Sequence, residues 1–316
     1  MRGTWRRPWW RRTLLQEGWT RRLHRPGTCL GLGLAATALA GPLTLAWAVV
    51  SLRRRPRGHD VVAQMSHREA KPPTGSAART PVVLVHGLGM SSRSLQNLVR
   101  ALGRTTWALA PDLPGYGRSP QPRIGALDVQ QLARALLAWM DEQGVADVVL
   151  VGHSLGAQVC GEVTLLAPGR VRRLVLIGPT GDPDRPSVLR QALRLARGAV
   201  HEPPLLVGVA ALDYLRAGPG QMVMLMRQAV ARASQQQHVT VDVPLLVVRG
   251  AEDLVCTQQW CEHVVTTSTA VGRLVVVADS AHGIAFDAPA ELVHLLVGEV
   301  RAADTDAVRD GSGSAG

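Results

Sequence analysis

Val148-Val149-Leu150-Val151-Gly152-His153-Ser154-Leu155-Gly156 joins four branched aliphatic residues to a G-x-S-x-G pentapeptide. A short apolar run without polar alternation predicts a strand buried on both faces. The stretch from Leu155 to Ala167 predicts a helix, so the serine falls on a strand-to-helix turn. Such a turn holds Ser154 in a strained backbone conformation. Gly152 and Gly156 remove the side chains that would collide with strand and helix. The pentapeptide also arises by chance in glycine-rich chains; the strand before it and the helix after it give it weight.

Outward from this turn, the same alternation recurs. Apolar runs at Pro81–Val85, Trp107–Ala110, Leu174–Ile177, Leu245–Val248 and Leu274–Val277 read as strands. Helices are expected near 92–103, 128–143, 155–167, 257–267 and 288–300. Strand and helix in alternation predict an α/β domain over 81–300, with a mostly parallel, doubly wound sheet and right-handed crossovers. The alternation breaks over about 181–243, where helical segments near 187–198, 205–216 and 220–236 carry Leu212, Leu215, Met222, Met224, Leu225 and Met226. This insertion is either an extra packing layer or a cap. Its place beyond the carboxyl end of a strand favours the cap, because ligands of open α/β sheets bind there.

A serine hydroxyl is a poor nucleophile near neutrality and needs a base in hydrogen-bond reach, itself oriented by a third group. On this architecture the acid follows a later strand and the histidine comes last. Asp253 follows the Leu245–Val248 run, and His282 follows the Leu274–Val277 run. Glu252 and Asp279 are neighbouring alternatives for the acid, as are Asp182 and Asp184 after Ile177. His153, His201, His238, His263 and His294 read as structural or solvated. Backbone N–H groups of Leu155, just after the serine, and of Leu88 in His86-Gly87-Leu88-Gly89 are the expected donors to a developing oxyanion.

The formal charge of +11 would suggest nucleic acid or an anionic surface, but it is confined to one end. Residues 1–58 hold twelve Arg and one acid, Glu17, leaving 23 basic and 23 acidic residues beyond. No nucleic-acid partner is expected of so neutral a body. Cys29–Leu52 carries no charge over 24 positions, which as a helix extends roughly 36 Å and can cross a bilayer. A cleaved secretory signal ending near Ala38-Leu39-Ala40 is the competing reading. Residues 1–28, with Trp5, Trp9, Trp10 and Trp19 among Arg, read as an interfacial tail, and 53–80 as a linker with a short strand around Val61 and Val62. Arg flanks both ends of the span: the larger cluster before it favours an extracytoplasmic domain, while the tighter cluster Arg53, Arg54, Arg55 and Arg57 after it argues the reverse. Residues 301–316 read as a disordered tail. Cys29, Cys160, Cys256 and Cys261 form no metal-binding spacing, so no metal or cofactor is expected; Cys256 and Cys261 are either bridged or two buried thiols.

With these residues assembled, the chain resembles the α/β-hydrolase superfamily from about 81 to 300. The matching motifs are HGLG (86–89), DLPGYGRS (112–119), GHSLG (152–156), GAEDLV (250–255) and AHGIAFDAPAEL (281–292). The resemblance implies the α/β-hydrolase fold, a helical cap and the roles given above. It also implies that Asp112–Ser119 is a loop beside the site, more structural than catalytic. The two strands that usually open this fold are not evident. Branches of the superfamily that form alkyl-enzymes carry Asp at the elbow, so Ser154 leaves acyl transfer, from a carboxylic ester, thioester or lactone of an apolar small molecule or lipid-derived substrate to the serine and then to water. Carbon–carbon hydrolysis of a diketone, a perhydrolase side activity and a membrane-tethered binding protein without turnover are the alternatives.

Overall fold

A computed structural model describes residues 65–73, 80–122, 125, 127–182, 188–217, 223–224, 226–227, 241–287 and 290–313. Seven strands form one sheet: β1 (His67–Ala70), β2 (Val82–Val85), β3 (Ala108–Pro111), β4 (Val148–His153), β5 (Val171–Ile177), β6 (Leu245–Gly250) and β7 (Gly272–Val277). Their order is β1-β3-β2-β4-β5-β6-β7, parallel throughout except for the antiparallel pair of β1 with β3.

The helices are α1 (Gln96–Leu102), α2 (Val129–Glu142), α3 (Leu155–Leu166), α4 (Val188–Gly198), α5 (Pro204–Ala217), α6 (Gln258–Thr266), α7 (Ile284–Asp287) and α8 (Ala290–Gly313); α1 and α8 pack on one face of the sheet and α2, α3 and α6 on the other. The aliphatic runs of β2 to β6 are unbroken because each of these strands feeds two cores at once. Val83, Val148, Leu150, Leu174 and Val247 pack on α2 and α3, while Val82, Val149, Val151, Val175 and Val248 pack on the side of α1 and α8. Helix α2 is fixed at its start by a reciprocal cap, in which Gln131 N–H donates to Asp128 Oδ1 at 2.8 Å and Asp128 N–H to Gln131 Oε1 at 2.9 Å.

Two expectations are corrected at the ends of the domain. Part of the 53–80 linker is sheet: His67–Ala70 pairs with Pro111–Ala108. An edge strand of sequence HREA, only partly buried, offers no apolar run by which to recognise it. The tail expected over 301–316 is helical to Gly313, because α8 continues the Leu292, Leu296, Val300, Ala303 stripe into the core. Two of its acids are also paired: Asp304 accepts from Thr80 N–H (2.9 Å) and Thr80 Oγ–H (2.7 Å), and Asp306 bonds Arg173.

The tail over 1–28, the spanning helix over 29–52 and the strand around Val61 and Val62 lie outside the described residues, as does most of the helix expected over 220–236. Among the described residues no helix is long and apolar enough to cross a membrane.

The elbow depends on glycine for reasons of space. A Cβ at Gly156 would lie 2.3 Å from the Val85 carbonyl oxygen and 2.7 Å from that of His86; one at Gly152 would lie 2.4 Å from the Gly156 carbonyl oxygen. These are backbone atoms that cannot rotate away. Gly156→Ala is therefore expected to cost about 3 kcal/mol of stability and lower Tm by roughly 6–12 °C in a thermal melt. An unchanged melting point would mean that β2 and α3 can separate at no cost.

Candidate active site

The carboxyl ends of β4, β6 and β7 bring together three side chains that stand up to 128 residues apart. Ser154 sits directly between β4 and α3 with φ 56° and ψ −117°, a strained conformation for a residue with a side chain. Its N–H donates to the Ile177 carbonyl at 2.9 Å, which holds the turn against β5. Gly87 leaves room beside it, since a Cβ there would lie 3.0 Å from that of Ser154.

Ser154 Oγ–H donates to His282 Nε2 at 3.0 Å, and His282 Nδ1–H donates to Asp253 Oδ2 at 2.8 Å. A carboxylate only accepts, so the shared proton belongs to Nδ1 and the Nε2 lone pair faces the hydroxyl. Asp253 is fixed by its other oxygen: Oδ1 accepts from Val255 N–H at 2.7 Å and Cys256 N–H at 2.9 Å. Burial alone would raise the Asp253 carboxyl, but His282 and those two N–H groups bring it below the usual carboxylate range. Burial likewise works against an imidazolium at His282, yet the Asp253 charge and hydrogen bond, helped by Glu202, leave its pKa above the ordinary value.

Of the alternatives for the acid, Asp182 lines the cavity, while Glu252 and Asp279 lie on the loops around it; Asp253 is the one bonded to the histidine. Asp184 and His238 lie outside the described residues. His201 and His263 stand on the surface side of α4–α5 and on α6, and His294 on α8.

Several supports were not legible in the sequence. The Arg249 guanidinium donates to the Ala251, Asp253 and Cys256 carbonyls at 3.3, 2.8 and 2.8 Å, clamping the loop that carries the carboxylate. His153 Nε2–H donates to the His282 carbonyl at 2.8 Å; burial lowers its pKa to about 4, so the ring is neutral. Asp112 accepts from Ser92 N–H and Arg118 N–H at 2.7 and 2.9 Å, and His86 Nε2 accepts from Leu113 N–H at 3.0 Å. The 112–119 loop is thus bolted to the HGLG turn. Cys256 and Cys261 are thiols with Sγ atoms 3.2 Å apart.

A cavity of about 230 Å³ opens over Ser154 and His282. Leu88 and Leu155 border it, together with Leu195, Leu206, Val207 and Phe286. Leu155 opens α3, and the first N–H groups of a helix have no partner within it. Helices α4 and α5 supply the opposite wall. Helix α5 and the residues just before it are fastened at two places. Asp213, near the end of α5, accepts from Ser91 Oγ–H at 2.5 Å; Glu202, just ahead of the helix, accepts from Gly283 N–H at 2.9 Å. Burial raises the Glu202 carboxyl against the opposing effect of that bond.

Residues 82–295 match the model of the alpha/beta hydrolase family. The chain is similar to the dihydrolipoyllysine-residue acetyltransferase component of the acetoin cleaving system of Pseudomonas putida, 30% identical over 200 residues, 57% of this chain and 54% of that protein. It is also similar to a (lyso)-N-acylphosphatidylethanolamine lipase of Bos taurus, 30% identical over 155 residues, 45% of this chain and 40% of that protein. The matched stretches thus span about half the length of these curated relatives or less. Among solved structures, a thermophilic esterase from Thermogutta terrifontis superposes with a TM-score of 0.61 at 18% identity, over 76% of this chain and 93% of that one. That likeness is one of fold.

Proposed function

The chain belongs to the alpha/beta hydrolase family, and from that premise we propose that it is a serine hydrolase cleaving a carboxylic ester, thioester or lactone of an apolar small molecule or a lipid-derived one. The observation that carries this reading is the hydrogen-bonded series Ser154–His282–Asp253 at the floor of an apolar cavity. His282 takes the Ser154 proton as Oγ attacks the carbonyl carbon, and Asp253 stabilises the imidazolium that forms. The oxyanion is received by the Leu88 and Leu155 N–H groups. His282 then protonates the leaving alcohol, thiol or lactone oxygen; water, deprotonated by the same ring, releases the acid and restores the serine.

Residues 29–52 hold the domain at a membrane, with the catalytic body outside the cytoplasm, a reading supported by the uncharged run and the larger Arg cluster before it. No cofactor or metal takes part in these steps. A fluorophosphonate probe should label the full-length chain stoichiometrically, with the adduct mapping to Ser154, and the same preparation should hydrolyse p-nitrophenyl esters with a preference for acyl chains beyond acetate. Labelling at another residue, or none, rejects the serine mechanism.

A further inference from the structure

Helix α4 presents three distinct faces. Gln191, Leu195 and Gly198 turn to the cavity. Leu189, Leu193 and Ala196, at i, i+4 and i+7, form a second stripe on the opposite side, and all three are exposed, Leu189 by 69%. Arg190, Arg194 and Arg197 make a third stripe, about 100° round from the second. Val200, just past α4, is 73% exposed, and on α5 Leu205, 70% exposed, and Leu212, on the same face at i+7, are exposed as well. No acidic residue occurs from Val188 to His201.

Large apolar side chains exposed in a contiguous group mark a surface that meets something. We infer that the outer face of α4 and α5 docks on an anionic lipid surface, with Leu189, Leu193, Val200 and Leu205 entering the acyl boundary and the arginine stripe meeting headgroup phosphates. The composition is that of a helix lying in a membrane interface: an apolar face, a basic flank and no acid. The charge distinguishes lipid from a second copy of the chain. A two-fold pairing of this face would set its own arginine stripe against the partner's, where like charges repel.

Nearness to a bilayer rests on the anchor proposed above. With residues 29–52 in the membrane, the twelve residues 53–64 reach at most roughly 43 Å. The docking chemistry itself requires no turnover, so the two readings can fail separately.

The test uses the full-length chain in phosphatidylcholine vesicles with and without phosphatidylglycerol, doped with a lipid bearing a diazirine in its acyl chain. Adducts are mapped by residue after illumination. Expected are adducts at Leu189, Leu193, Val200 and Leu205, besides those in 29–52, retained in Ser154→Ala. Adducts at the cap should fall severalfold without phosphatidylglycerol or at 0.5 M salt, where Coulomb attraction is screened. Leu189→Ser combined with Leu193→Ser should lower them roughly tenfold, while turnover of a water-soluble ester and the melting temperature stay as in the parent. Adducts confined to 1–64, or to the cavity side at Gln191 and Leu195, overturn the docking face. So does a yield independent of anionic lipid, or chain-to-chain cross-links through Leu193 in its place. Docking adducts in a chain that no fluorophosphonate labels would leave this inference standing and remove the enzymatic one.

Discussion

Ser154→Ala is expected to lower kcat for a p-nitrophenyl ester by about 10⁶-fold, to the level that ester binding and the oxyanion donors sustain alone. The change removes the one oxygen that His282 Nε2 contacts at 3.0 Å and leaves the rest of the site in place. Ala, which also carries a Cβ, holds φ 56° at about the same cost as Ser, so the fold should survive with little change in Tm. The loss should fall on kcat with KM nearly constant. Initial rates corrected by active-site titration of the parent measure it. A variant retaining even about one per cent of parental kcat would show that another nucleophile does the work.

Asp253→Asn is expected to lower kcat by about 10⁴-fold, again without unfolding. The amide can still accept from the Val255 and Cys256 N–H groups through Oδ1, so the loop keeps its shape. Its NH₂ now meets His282 Nδ1, where two donors cannot face one another. The ring therefore places its proton on Nε2, against Ser154 Oγ, and can no longer take one from it. The pH profile gives a second readout. Only neutral His282 acts as a base, and its pKa is raised in the parent, so kcat/KM should decline as pH falls through a midpoint above the ordinary 6.5. Without the Asp253 charge, burial of the ring is opposed by Glu202 alone, and that acid limb should move to lower pH. A limb that stays where it was would mean that Asp253 is not the group setting the base.

Ser154, Asp253 and His282 were legible because each follows a strand written as an unbroken aliphatic run, buried in β4 and β6 and only partly so in the edge strand β7. Their order in the chain then matches the order in which the sheet delivers them to one edge. Strand β1 was not legible, since an antiparallel edge strand of sequence HREA has no face that must be apolar throughout. The end of α8 was hidden by composition: Ala303 to Arg309 reads as polar surface until Arg173 and Thr80, far away in sequence, are seen to pair with Asp306 and Asp304. Arg249 and Glu202 escaped notice for a similar reason. They act through backbone carbonyls and an N–H group of other loops, partners that residue identities do not advertise.

The two fastenings of the α5 region, Asp213 to Ser91 and Glu202 to Gly283, make the roof and the floor of the cavity one mechanical unit. Displacing that helix would pull on the turn that bears Leu88 and on the segment that bears the imidazole. The wall above the cavity and the reaction centre below it therefore share their supports, so loss of either carboxylate should be felt on both sides.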